Sequence, residues 1–158
     1  MKYGLIGKTL VHSYSKEIHE ALEKYTYELF SLSEEEMPAF INARDFGGLN
    51  VTIPYKKDVI PLCDEISPLA EAIGAVNTLY WKPDDADTGT ADTARCRTLV
   101  GHNTDYEGFL YAAKRAGISF AGRTVLILGT GGTSLTARKA AADNGAVQIY
   151  IASRKPSP

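Results

Sequence analysis

Short apolar runs alternate with helix-like stretches over the first fifty residues, and that alternation leaves few architectures open. Tyr3 to Ile6 reads as a strand stopped by Gly7. Glu17 to Tyr25 then carries Ile18, Ala21, Leu22 and Tyr25 at a spacing that makes one apolar stripe on a helix. Tyr27 to Leu32 is a second strand. Ser33 ahead of Glu34, Glu35 and Glu36 marks a helix start, with a hydroxyl to cap it and acids facing the positive end of its dipole. Met37, Phe40 and Ile41 give that helix its apolar face, Gly47 and Gly48 end the unit, and Leu49 to Ile53 is a third strand. The order β-α-β-α-β predicts an α/β fold with a parallel sheet and helices on its faces.

The same reading extends downstream. Tyr55 to Cys63 and Ser67 to Ile73 predict two short helices, with Gly74 ending the second. Ala75 to Trp81 and Arg97 to His102 predict strands joined by a polar, acidic run from Lys82 to Arg95, expected as an exposed hairpin loop. Asp105 to Ala116 is a helix with Phe109, Leu110, Ala113 and Ala116 on one face. Thr124 to Leu128 is continuously apolar, as in a strand covered on both faces. A glycine turn, a helix from Leu135 to Asn144 and a strand from Val147 to Ala152 follow. Two units are therefore expected, residues 1–104 and residues 105–158, the second being the start of a Rossmann-type nucleotide domain. A complete dinucleotide fold has two βαβαβ halves, and about one βαβ unit is present here, so a truncated protein or fragment is expected. Its uncovered strands should expose apolar surface and favour self-association.

Composition narrows the function classes. A formal net charge of -2 and a pI near 5.9 give no basic surface for nucleic acid. Cys63 and Cys96 lack the spacing of a zinc site or disulfide framework. No apolar run approaches the ~18 residues of a membrane span, and the N-terminus lacks a signal-peptide core, so a cytoplasmic protein is expected.

Five polar clusters carry the chemistry. Gly129-Thr130-Gly131-Gly132-Thr133-Ser134 lies between a strand and a helix, where glycines let a pyrophosphate approach the helix N-terminus. No acid for a ribose 2′-hydroxyl ends the next strand; Ser153, Arg154 and Lys155 stand there instead and suit a 2′-phosphate, hence NADP. Ser13 and Ser15 flank a helix start, where Ser15 reads equally as an N-cap or as a carboxylate ligand. Asn50, Thr52 and Lys56 bracket a strand end at Pro54, although Lys56 with Lys57 and Asp58 also fits a solvated helix face. Asn77 sits in an apolar strand where its amide needs a partner, and Asp105 begins a helix, where capping is the plain alternative.

Taken together, His12-Ser13-Tyr14-Ser15, Asn50 to Lys56, Gly74-Ala75-Val76-Asn77-Thr78, Gly101 to Asp105 and Gly129 to Ser134 resemble the shikimate dehydrogenase family, over Tyr3 to Arg154. The resemblance implies a substrate domain over 1–104, a partial NADP-binding domain over 105–158, and reversible NADP-dependent reduction of 3-dehydroshikimate to shikimate in aromatic amino-acid biosynthesis. It implies carboxylate binding by Ser13 and Ser15, and ring-hydroxyl binding by Thr52, Lys56, Asn77 and Asp105, with Asn50 in the pocket wall. It makes Lys56 and Asp105 the catalytic pair and brings Arg154 to the 2′-phosphate. Ser153 and Lys155 depart from the family's Asn-Arg-Thr-like triplet, and Lys16 stands where proline is usual. Two alternatives stay open: a silent shikimate-binding fragment, and an enzyme that also accepts quinate. The chemistry suits the residues, since hydride transfer to a ketone builds negative charge on oxygen that Lys56 can meet with a proton. General acid–base help of this kind contributes ~10²–10⁴-fold.

Overall fold

The structure, a computed structural model, describes residues 1–10, 13–83 and 97–154. The predicted alternation is present as β1 (Tyr3–Gly7), α1 (Ser15–Leu22), β2 (Tyr27–Ser31), α2 (Glu36–Asn42) and β3 (Gly48–Val51). β1 lies between β2 and β3 and is parallel to both, with Leu5 opposite Leu29 on one side and Asn50 on the other. Ahead of α2, the Ser33 hydroxyl accepts the Glu36 N–H at 3.2 Å, and the Glu36 carboxylate accepts the Ser33 N–H at 2.8 Å. This reciprocal cap satisfies two backbone donors that a helix start leaves unpaired. It also holds the Glu36 carboxyl below its usual range.

Past β3 the local expectations need correcting. Tyr55 to Cys63 forms successive turns and one 3-10 turn, Ile60–Leu62, in place of a regular helix. Pro61 lacks an N–H and its ring obstructs the preceding turn, while buried Tyr55 is tethered sideways, its hydroxyl donating to the Leu32 carbonyl at 2.5 Å. β4 (Glu65–Ile66) is too short to show any periodicity. α3 (Pro68–Ile73) is capped by the Ser67 hydroxyl and ended by Gly74 in the left-handed conformation, φ 75°. β5 (Thr78–Pro83) and β6 (Arg97–His102) complete a six-stranded sheet in the order β2-β1-β3-β5-β6-β4.

That sheet is mixed, not parallel. β5 runs antiparallel to both β3 and β6, whereas β4 is parallel to β6. Antiparallel neighbours can be joined directly, whereas parallel ones need a crossover of a dozen or more residues, usually a helix. Of the acidic run from Lys82 to Arg95, residues 84–95 lie outside the described residues, as does Cys96. The core gathers Ile6, Ile41, Val51, Tyr55, Val76 and Leu79, each at most 2% exposed. The apolar stripe of α1 is not part of it, for Ile18 and Leu22 face outward.

A second, two-stranded parallel sheet pairs β7 (Thr124–Leu128) with β8 (Gln148–Ala152), with α5 (Gly132–Asp143) between them in sequence. β7 was expected to be covered on both faces, yet only Ile127 is buried while Leu126 and Leu128 are 62% and 79% exposed. The strand alternates, so one helix shields one face. α4 (Asp105–Arg115) joins the two sheets, packing against α5 with the Tyr106 hydroxyl donating to Asp143 at 2.8 Å. Among the described residues, no helix is long and apolar enough to cross a membrane.

Gly101 in β6 tests this packing. A Cβ there would stand 2.8 Å from Ile66, 2.9 Å from Val76 and 3.0 Å from the Cys63 sulfur. Gly101→Ala should cost about 1–3 kcal/mol by overpacking, read as a lower urea midpoint with an unchanged slope.

Candidate active site

The corner after β3 is pinned before any functional side chain is considered. The Thr52 N–H donates to the Ile6 carbonyl at 2.9 Å, the Tyr55 N–H to the Thr52 carbonyl at 3.0 Å, and the Val76 N–H to the Lys56 carbonyl at 2.7 Å. These bonds hold Lys56 beside the start of α4. Its ammonium lies 2.6 Å from Asp105 Oδ2, with the lysine side chain 12% exposed and the aspartate 32%. The other carboxylate oxygen accepts Asn77 Nδ2–H at 2.7 Å. Asn77 Oδ1 accepts the Thr104 N–H at 2.8 Å, which satisfies an amide that is 8% exposed.

Asp105 is therefore not the cap of α4. Thr104 occupies the cap position, and buried Asn103 accepts the Tyr106 N–H at 3.3 Å while donating to the Ala75 carbonyl at 2.8 Å. The Asp105 carboxylate is left to Lys56 and Asn77. Nor does Lys56 lie on a solvated helix face.

A recess of about 820 Å³ opens over this pair, and Ser13, Ser15, Asn50, Thr52, Lys56, Asn77 and Asp105 all line it. The capping alternative for Ser15 does not hold: it is the first residue of α1, Tyr14 stands at the cap, and the Ser13 hydroxyl accepts the Ser15 N–H at 3.2 Å. His12 lies outside the described residues. His19, Lys8 and Glu34 line the same recess and were not found by sequence reasoning. His19 sits one helical turn past Ser15, a spacing that could have placed it on the Ser15 face. Lys8 and Glu34 pair at 2.6 Å, which raises the lysine and lowers the glutamate from their usual ranges.

A second recess of about 1000 Å³ is lined by Leu128, Gly129, Thr130, Ala152, Ser153 and Arg154. Gly129 takes φ 108°, and a Cβ on Gly131 would meet nothing within 4 Å, so the backbone is open to close approach there. Gly132 differs: its Cβ would stand 3.2 Å from Lys56 Cδ. The turn beside the second recess thus ends against the lysine of the first. Thr133 is exposed, and the Ser134 hydroxyl donates to the Gly131 carbonyl at 2.6 Å, closing the first turn of α5. The Ser153 hydroxyl lies 3.5 Å from that of Thr130, Arg154 is exposed, and Lys155 lies outside the described residues. A helix start, an open glycine turn and a cation at its rim fit a phosphate-bearing dinucleotide.

Residues 5–79 match the family model of the shikimate dehydrogenase substrate binding domain. The chain is 37% identical to the shikimate dehydrogenase (NADP(+)) of Clostridium beijerinckii, over 97% of its own length and 55% of that protein's. It superposes on shikimate dehydrogenase 1 of Peptoclostridium difficile with a TM-score of 0.83 at 34% identity, covering 99% of this chain and 58% of that one. It superposes likewise on shikimate 5-dehydrogenase of Thermus thermophilus, solved in complex with NADP(H) and shikimate. There the TM-score is 0.78 at 30% identity, over 99% of this chain and 57% of the other. The chain thus spans a little over half the length of these relatives.

Asn77→Ala would strip the Asp105 carboxylate and the Thr104 N–H of a partner at once. Leaving buried polar groups unmet costs about 1–3 kcal/mol. Chemical denaturation should show a loss in that range.

Proposed function

We propose that the chain carries the substrate pocket and the acid–base pair of an NADP-dependent shikimate dehydrogenase, acting in the reversible reduction of 3-dehydroshikimate to shikimate. The observation that carries this reading is the convergence of Lys56, Asp105 and Asn77 with Ser13, Ser15 and Thr52 on one recess, in a chain related to shikimate dehydrogenases. The hydroxyls of Ser13 and Ser15 take the substrate carboxylate. Thr52, Lys56, Asn77 and Asp105 take the ring oxygens, with Asn50 in the wall. As the carbonyl is reduced, negative charge grows on its oxygen, and the Lys56 ammonium delivers a proton there; in the oxidation the neutral Lys56 amine takes up the alcohol proton. Asp105 fixes the ammonium by the 2.6 Å contact.

On this reading residues 1–104 form the substrate unit and residues 105–158 begin the nucleotide unit. When bound, NADP supplies or accepts the hydride. Gly129, Thr130 and Gly131 admit its phosphates to the N-terminal turn of α5, formed by Gly132, Thr133 and Ser134, while Ser153, Arg154 and Lys155 favour a 2′-phosphate. A second reading, shikimate binding without turnover, rests on the same recess and its lining residues alone.

Calorimetric titration with shikimate, run beside an NADP⁺ reduction assay, separates these readings. Saturable binding is expected, and where turnover is seen Lys56→Ala should lower kcat at least ~10²-fold with an unchanged circular dichroism spectrum. Binding without turnover would leave the second reading standing, and no shikimate binding would overturn both. Parallel titration with quinate decides how far the pocket discriminates at ring C1.

Arg154→Ala should weaken NADP⁺ binding about tenfold or more while leaving NAD⁺ little changed, because a charge-assisted hydrogen bond contributes about 1.5–3 kcal/mol. Competition fluorescence with the two nucleotides measures that ratio.

A further inference from the structure

Tyr27 does not line the recess, and nothing in the reading above gives it a role. It opens β2 yet is only 2% exposed, with its ring stacked on His19 at 4.2 Å and 13° between planes. Its hydroxyl donates to Asn50 Oδ1 at 2.7 Å. A carboxamide has an oxygen and a nitrogen of nearly the same shape, and only the oxygen can receive a phenol proton. The bond holds the Asn50 side chain in place, while the direction of the bonds beyond it is fixed at the far end, where the Thr104 N–H can only donate to Asn77 Oδ1 and the Asp105 carboxylate can only accept. Asn50 Nδ2 points to Thr78 Oγ1 at 3.5 Å. The Thr78 hydroxyl donates to Asn77 Oδ1 at 2.9 Å. Asn77 Nδ2 is then the atom that faces Asp105, at 2.7 Å. Every step runs donor to acceptor in one direction, from the phenol to the carboxylate that holds Lys56.

We infer that Tyr27 is a positioning residue for the pocket, whose buried phenol anchors the Asn50 amide in the wall of the recess. Burial, more than its neighbour Tyr25, pushes this phenol well above its ordinary range, with the Ser15 hydroxyl opposing the effect. It stays a proton donor across working pH. The consequence for substrate rests on the proposed shikimate reading; the anchoring of Asn50 does not.

Tyr27→Phe keeps the ring and removes the donor. In ¹⁵N spectra of the full chain, the side-chain amide signals of Asn50 should shift, broaden or double, and shikimate affinity should fall about tenfold. Tyr55→Phe is the control. Its phenol is equally buried but donates to the Leu32 carbonyl, outside this relay. It should lower stability while leaving those amide signals and shikimate affinity unchanged. Unmoved amide signals in Tyr27→Phe would overturn the inference, as would moved signals with unchanged shikimate affinity. If the unmodified chain binds no shikimate, the shikimate reading fails by itself, and the amide signals still decide the role of Tyr27.

Discussion

The contact between Lys56 and Asp105 ties the corner after β3 to the start of α4. α4 is in turn held to α5 by the Tyr106–Asp143 bond. Taking two charges out of water is costly, and a pair in a partly closed recess is tolerated when the remaining lone pairs also find donors. Asn77 meets that demand from below, and it can do so because the Thr104 N–H satisfies its own oxygen. The ion pair, the asparagine and the first residues of α4 therefore form one polar unit. A change in any member removes one partner from another.

Gly132 ties the lysine to the second sheet as well. With no side chain there, the N-terminus of α5 closes on the stem of Lys56. The glycines of the turn thus answer two demands. Gly129 supplies a left-handed backbone and Gly131 an open face, whereas Gly132 supplies room for a neighbour from the other sheet. A phosphate-binding motif read from sequence predicts the first two uses only.

Much of this was legible in the sequence because local chemistry and global fold agree. The Ser33 cap ahead of α2, Gly74 at the end of α3 and the helix after Asp105 each reappear. What escaped is what depends on distant partners. Pro61 and the tether of Tyr55 to Leu32 stand where a short helix was expected. β7 carried a run of apolar residues without the cover that such a run implies. The relay from Tyr27 to Asn77 joins residues 23, 28 and 1 positions apart, and no period links them.

The reversal of β5 matters more to the site than any of these. Parallel α/β sheets place ligands outside the carboxyl ends of their strands. β1 and β3 reach that edge with Gly7 and Val51, but a parallel β5 would have put Asn77, which precedes it, at the opposite edge. Running antiparallel, β5 pairs Asn50 with Thr78 and so begins where β3 ends. β6 turns back again, pairs His102 with Thr78, and delivers Thr104 and Asp105 to the same edge. Two successive reversals thus bring three separate stretches of sequence to Lys56. The mixed sheet, which the alternation of elements did not foretell, is what assembles the polar unit around the ion pair.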